Sequence, residues 1–138
     1  MSEPRGPCSV ISDPAEGGQQ CRAFLRFAGT HHCRGFNDRS IGIELVNSGR
    51  YPDWLDSRRQ EMREPYPQAQ LDALSGLLAS LRRSLTGLRF IAGHEDLDTA
   101  METASDDRAL QVPRKRDPGP LFPWDAVLAE CGLERLRP

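Results

Sequence analysis

Leucine recurs at Leu71, Leu74, Leu78, Leu81 and Leu85, in steps of 3, 4, 3 and 4. That spacing puts all five on one side of an α-helix and leaves Gln68, Asp72, Arg82 and Arg83 largely elsewhere. Pro67 suits a first helical turn, and Thr86-Gly87 supplies a stop. Acid early and base late agree with the helix dipole. The spacing predicts a helix over 67–85. A stripe this continuous is core, so the rest of the chain must cover it.

Two strands flank that helix in sequence. Ser40-Ile41-Gly42-Ile43-Glu44-Leu45-Val46-Asn47 is dense in β-branched residues and ends in the turn-forming Asn47-Ser48-Gly49. Ile41, Ile43 and Leu45 share one face; Gly42, Glu44 and Val46 share the other. Glu44 reads equally as a solvated edge-strand carboxylate or as an acid displayed from a rigid sheet into a cleft. Leu88-Arg89-Phe90-Ile91-Ala92 is the second strand and runs into Gly93-His94-Glu95-Asp96-Leu97. A histidine behind a glycine at a strand's end is well placed for a site, and the alternative is a hydrogen-bonded loop histidine.

The remainder is read more coarsely. Residues 1–22 are rich in Pro, Gly, Ser and Gln and read as irregular, residues 23–28 as a short strand, and 29–39 as a loop. Residues 48–66 form a long polar loop fit to wall a groove. Residues 98–113 read as acidic and irregular. A last helix opens at Pro123-Trp124, runs to Cys131 and stops at Gly132.

Composition narrows the classes. A chain of 138 residues suits one domain, and a net charge of −2 gives no electrostatic drive toward nucleic acid. No apolar run can span a bilayer, and the first residues lack the apolar segment of a secretory signal, so a cytoplasmic location is expected. Cys8, Cys21, Cys33 and Cys131 form no C-x-x-C pair and read as reduced thiols without a catalytic role.

Of 18 basic residues, Lys115 is the single lysine. It stands in Arg114-Lys115-Arg116-Asp117-Pro118-Gly119-Pro120, where an acid is held in a Pro-Gly turn. Lysine offers a compact ammonium, unlike the planar fork of arginine. His94 and Asp117 are residue types that bind zinc, but their separation in sequence means only the fold can join them. Alone, Asp117 reads as a turn-forming residue.

Together, Ser40–Asn47, Tyr66-Pro67-x-x-Gln70, Ile91–Leu97 and Arg114-Lys115-x-Asp117-Pro118-Gly119-Pro120 resemble the zinc-dependent N-acetylmuramoyl-L-alanine amidases, the type shared with peptidoglycan recognition proteins and phage lysozyme-type amidases. The resemblance runs from about Gly35 to the helix after Trp124. It implies an α/β fold, a mixed central β-sheet flanked by α-helices, with an amidase-like domain over 35–138 and a divergent or incomplete segment over 1–34. It implies a Zn²⁺ cofactor held by His94 and Asp117, with Glu44 as general base and Lys115 as oxyanion stabiliser. It places Asn47, Arg114 and His32 at the substrate groove. The implied partner is peptidoglycan or its muropeptide fragments, met by a monomer, with no nucleic acid and no membrane span. The bond implied joins the lactyl group of N-acetylmuramic acid to L-alanine.

The sequence departs from the family in one respect. The family carries its first zinc histidine on an early Ile/Val-rich strand, and residues 1–34 hold no such run. His32 is left, as a remnant of the groove histidine or as a zinc ligand; a His31/Cys33 pairing on the metal is a further chemical option. A non-catalytic peptidoglycan-binding module, or a truncated pseudoenzyme, is the competing reading.

Overall fold

The computed structural model describes residues 8–12 and 40–137. In chain order the elements are β1 (Cys8–Ser12), β2 (Ser40–Glu44), α1 (Gln68–Ser84), β3 (Phe90–Gly93), α2 (His94–Leu97), β4 (Met101–Thr103), β5 (Gln111–Pro113), α3 (Trp124–Cys131) and β6 (Glu134–Arg135). They form a mixed α/β domain.

Four strands make one sheet in the order β2-β1-β3-β6. β1 lies antiparallel to β2, with Cys8 opposite Glu44 and Ser12 opposite Ser40. It lies antiparallel to β3 as well, with Ser9 opposite Gly93 and Ser12 opposite Phe90. β6 closes the far edge, parallel to β3. β1 corrects the expectation that residues 1–22 are irregular. Its apolar residues, Val10 and Ile11, are adjacent rather than alternating, so no period-2 signal marks it. Pairing on both edges supplies what local pattern lacks. The strand expected at 23–28 and the loop at 29–39 lie outside the described residues.

α1 begins and ends within a residue of the expected helix, with Pro67 as its N-cap. Leu74 and Leu78 are buried and meet Ile43, Leu45, Ile91, Phe122 and Val127 in a single core; Leu71, Leu81 and Leu85 pack at its margin. The leucine stripe therefore does what its spacing requires. In β2 the alternation outlasts the ladder: Ile43, Leu45 and Asn47 are buried, while Glu44 and Val46 face outward. α3 ends at Gly132 as expected.

The segment 98–113, expected to be irregular, contains a second small sheet. β4 and β5 pair antiparallel, with Met101 opposite Pro113 and Thr103 opposite Gln111. Three-residue strands are too short for a periodic signal to resolve. The long loop before α1 is stitched to this hairpin: Ser105 N donates to Leu55 O at 2.9 Å. Among the described residues no helix is long and apolar enough to cross a membrane.

Candidate functional site

Three stretches meet at the C-terminal end of β3. Gly93 ends the strand and His94 opens α2. The Asp117-Pro118-Gly119-Pro120 turn then folds onto this corner. Glu95 N donates to Asp117 O at 3.1 Å, joining the first turn of α2 to the turn's backbone. A Cβ on Gly93 would sit 2.6 Å from Pro118 Cδ and 3.1 Å from Asp117 O, so only glycine permits the approach. Gly119 adopts φ +83°, a left-handed conformation that glycine enters without strain.

The turn rests on aromatic side chains. Tyr66 Oη donates to Pro118 O at 2.8 Å. Tyr66 meets Phe122 edge to face at 5.4 Å, and Phe122 meets Trp124 at 4.8 Å between ring centroids. Burial, with the nearby Asp117, Glu95 and Glu64 carboxylates, pushes the Tyr66 phenol pKa up from its ordinary value, so it stays a donor. The Asp117–Pro118 peptide is cis.

Within this frame Nδ1 of His94 and Oδ2 of Asp117 lie 2.7 Å apart. The His94 side chain is 2% exposed and that of Asp117 16%. Two residue types that bind zinc thus converge from separate motifs. Glu95, beside them, has its carboxyl pKa raised, first by burial and then by Asp96; Arg135 at 3.6 Å opposes the shift.

The strand entering the turn is held on two sides. Arg50 Nη1 donates to Pro113 O at 2.8 Å and Nη2 to Arg114 O at 3.2 Å, so one guanidinium grips both carbonyls just before Lys115. Burial and the neighbouring Arg116 lower the Arg50 pKa, while Asp117 acts in the opposite sense. On the other side, Arg114 N donates to Ala100 O at 2.8 Å. Arg114 Nη2 donates to Asp98 Oδ2 at 2.6 Å. Lys115 follows, half-buried, two positions before Asp117.

The other expected site residues stand as follows. Glu44 is exposed at the end of β2, opposite Cys8; two strand spacings, roughly 10 Å, separate its row from β3. Asn47 is buried: its Nδ2 donates to Glu64 O at 2.9 Å and its Oδ1 accepts from Gly49 N at 2.8 Å. Its amide organises the turn after β2. The Arg114 guanidinium is engaged by Asp98. His32, with His31 and Cys33, lies outside the described residues.

Arg50 and Arg135 stand in no motif of the sequence, and Tyr66 and Asp96, which do, carry a supporting role that the motifs alone do not assign. Asp96 carries a signal, since an acid three residues after an N-cap, here Gly93, can reach back to the cap amide. Its Oδ2 accepts from Gly93 N at 2.9 Å. Arg50 and Arg135 act across long stretches of chain, and no local pattern announces them.

The profile of the N-acetylmuramoyl-L-alanine amidase family matches residues 12–120. The chain belongs to that family. It is 37% identical over 97 residues to "N-acetylmuramoyl-L-alanine amidase AmiD" of Escherichia coli strain K12, a match covering 70% of this chain. The chain spans 29% of that relative's length. No solved structure matches it. Both His94 and Asp117 fall inside the family match, as do Glu44 and Lys115.

Whether the corner suits the zinc that the family resemblance implies is decided by donor kind and number. An imidazole nitrogen and a carboxylate oxygen suit zinc, and a catalytic site takes three protein ligands. Among the described residues no group of three or more His, Cys, Asp or Glu side chains is gathered to hold a metal. The corner therefore fits by kind and supplies two donors.

Proposed function

We propose that this chain is a hydrolase of the amide bond between the lactyl group of N-acetylmuramic acid and L-alanine, in peptidoglycan or muropeptides. The observation that carries the reading is the convergence of His94 and Asp117 at 2.7 Å, in a chain of the amidase family. His94 and Asp117 would hold a zinc ion with a third donor from outside the described residues, for which His32 is the candidate. When bound, zinc polarises the scissile carbonyl and makes water acidic enough to attack near neutral pH.

Glu44 is the general base in this reading. Its carboxylate takes a proton from the attacking water and passes it to the alanine nitrogen as the C–N bond breaks. One free carboxylic acid and one free amine result. Lys115 supplies a positive charge where the carbonyl oxygen becomes negative, so it helps the transition state more than the bound substrate. The grip of Arg50 on the Pro113 and Arg114 carbonyls keeps the Lys115 backbone from drifting.

The test couples metal content to hydrolysis. Purified protein should carry one zinc per chain by mass spectrometry and release alanine-headed peptide from a muropeptide; His94→Ala should lose both. Retained muropeptide binding without metal or turnover would reassign the chain as a peptidoglycan-binding module.

A further inference from the structure

The family match ends at residue 120, but the chain continues through α3 into β6, and β6 returns to the site. Glu134 N donates to Arg89 O and Leu136 N to Ile91 O, each at 2.9 Å. This register sets Arg135 opposite Ile91, beside the strand that delivers His94. The Arg135 guanidinium stacks on Trp124, 3.9 Å from the ring centroid. It also grips Asp96 with two bonds, Nε to Oδ2 at 2.9 Å and Nη2 to Oδ1 at 2.8 Å. Both side chains are largely removed from water, at 14% and 8% exposure.

Asp96 hands this restraint on. The same Oδ2 accepts from Gly93 N, so the carboxylate is fixed on one side by Arg135 and holds the peptide before His94 on the other. Trp124 serves both ends as well, since its ring lies under Arg135 and its Cζ2 is 3.4 Å from where a Gly93 Cβ would stand. A forked, charge-assisted pair fixes the plane of the carboxylate, which a single bond would leave free to turn.

We propose that Arg135 is a positioning residue for His94, acting through Asp96 and Trp124, and that the C-terminal strand β6 is therefore part of the active-site frame. Its effect on turnover rests on the hydrolase reading above; its effect on geometry does not. Reacting groups tolerate displacements of only about 0.5 Å, so a loosened Ala92–Gly93 peptide, one residue ahead of His94, is enough to impair the site.

The test uses Arg135→Met and Arg135→Lys in the full chain, with Leu78 in the buried face of α1 as an internal control. Arg135→Met should speed amide hydrogen exchange at Gly93 by about tenfold or more, the factor expected when a hydrogen bond to a charged group is weakened. It should shift the His94 ring ¹⁵N resonances and leave Leu78 exchange unchanged. Arg135→Lys, which restores one of the two bonds, should fall between. On a muropeptide, Arg135→Met should lower kcat by about tenfold with KM unchanged. Unchanged Gly93 exchange and His94 resonances would overturn the proposal. So would an equal rise at Leu78, which marks general loosening. If Arg135→Met does not fold, Arg135→Lys decides the matter: wild-type exchange at Gly93 overturns the proposal, and faster exchange there with native Leu78 supports it. A wild-type protein without turnover defeats the hydrolase reading alone, and the exchange comparison still tests Arg135.

Discussion

His94 Nδ1 and Asp117 Oδ2 meet at 2.7 Å although 23 positions separate them in the chain. The meeting is set by backbone, not by the two side chains alone. Glu95 N binds Asp117 O, Gly93 admits Pro118 where a Cβ would collide, and Tyr66 holds Pro118 O from below. The site is thus a corner between a strand end and a Pro-Gly turn.

Gly93→Ala tests that corner directly. A methyl group would press on Pro118 Cδ at 2.6 Å and on a carbonyl oxygen at 3.1 Å, neither of which is the end of a flexible chain. Overpacking of this kind costs about 1–3 kcal/mol. The urea midpoint should fall at unchanged m-value, and the His94–Asp117 approach should open. A midpoint within error of wild type would mean that the corner yields freely.

Much of the fold behind this corner is legible in sequence, because its parts are locally encoded, whereas the meeting of His94 with Asp117 is not. The leucine stripe of α1, the alternation of Ile43 and Leu45, and the strand-Gly-His order each carry their own signal. The strand β1 does not, because Val10-Ile11 is too short a run and its ladder partners are Gly42 and Ile41 on one side and Ala92 and Ile91 on the other. The hairpin β4–β5 fails for the same reason of length. Residues that hold the site from afar are invisible to local reading: Arg50 acts on Pro113 and Arg114, and Arg135 on Asp96, through contacts that only the finished fold creates. Asn47 and Arg114 are expected at the substrate groove through the family resemblance alone, and their hydrogen bonds to Glu64 and Asp98 cannot be read from their identities.

Glu44→Gln tests the general-base role proposed for Glu44 separately from folding. Glu44 is exposed, so the substitution should leave the thermal midpoint close to wild type, within the roughly 0.5 kcal/mol typical of surface changes. Loss of a general base costs about 10²–10⁴-fold in rate. Muropeptide turnover should drop by that factor with metal content retained. Near-full activity would remove Glu44 from the proton-transfer role.

Lys115→Ala should lower kcat by about 10²–10³-fold, the range for removing one oxyanion stabiliser. On the oxyanion role proposed for Lys115, KM should move little, because an interaction made only in the transition state leaves substrate binding unchanged. Lys115→Arg should recover only part of the rate, because a planar fork replaces a compact ammonium. An unchanged kcat in Lys115→Ala would exclude the assignment.

A last prediction concerns how the long loop is pinned to the β4–β5 hairpin. Asp106 Oδ1 accepts from Ser57 N and its Oδ2 from Ser57 Oγ, each at 2.7 Å. These bonds, the backbone one first, hold the Asp106 carboxyl below its ordinary value of 3.8. A carboxyl whose folded pKa lies below its unfolded value adds stability above the unfolded pKa and loses it as pH falls through the folded one. The tether should therefore persist at neutral pH and weaken in acid only below about pH 3.8, the unfolded reference. An NMR titration of the Asp106 carboxyl should give a midpoint under 3.8. Ser57→Ala removes the hydroxyl bond and leaves the amide, so the midpoint should rise part of the way back. A wild-type midpoint at or above the ordinary value, or no upward movement in Ser57→Ala, would show that Ser57 does not tether the loop through this carboxylate.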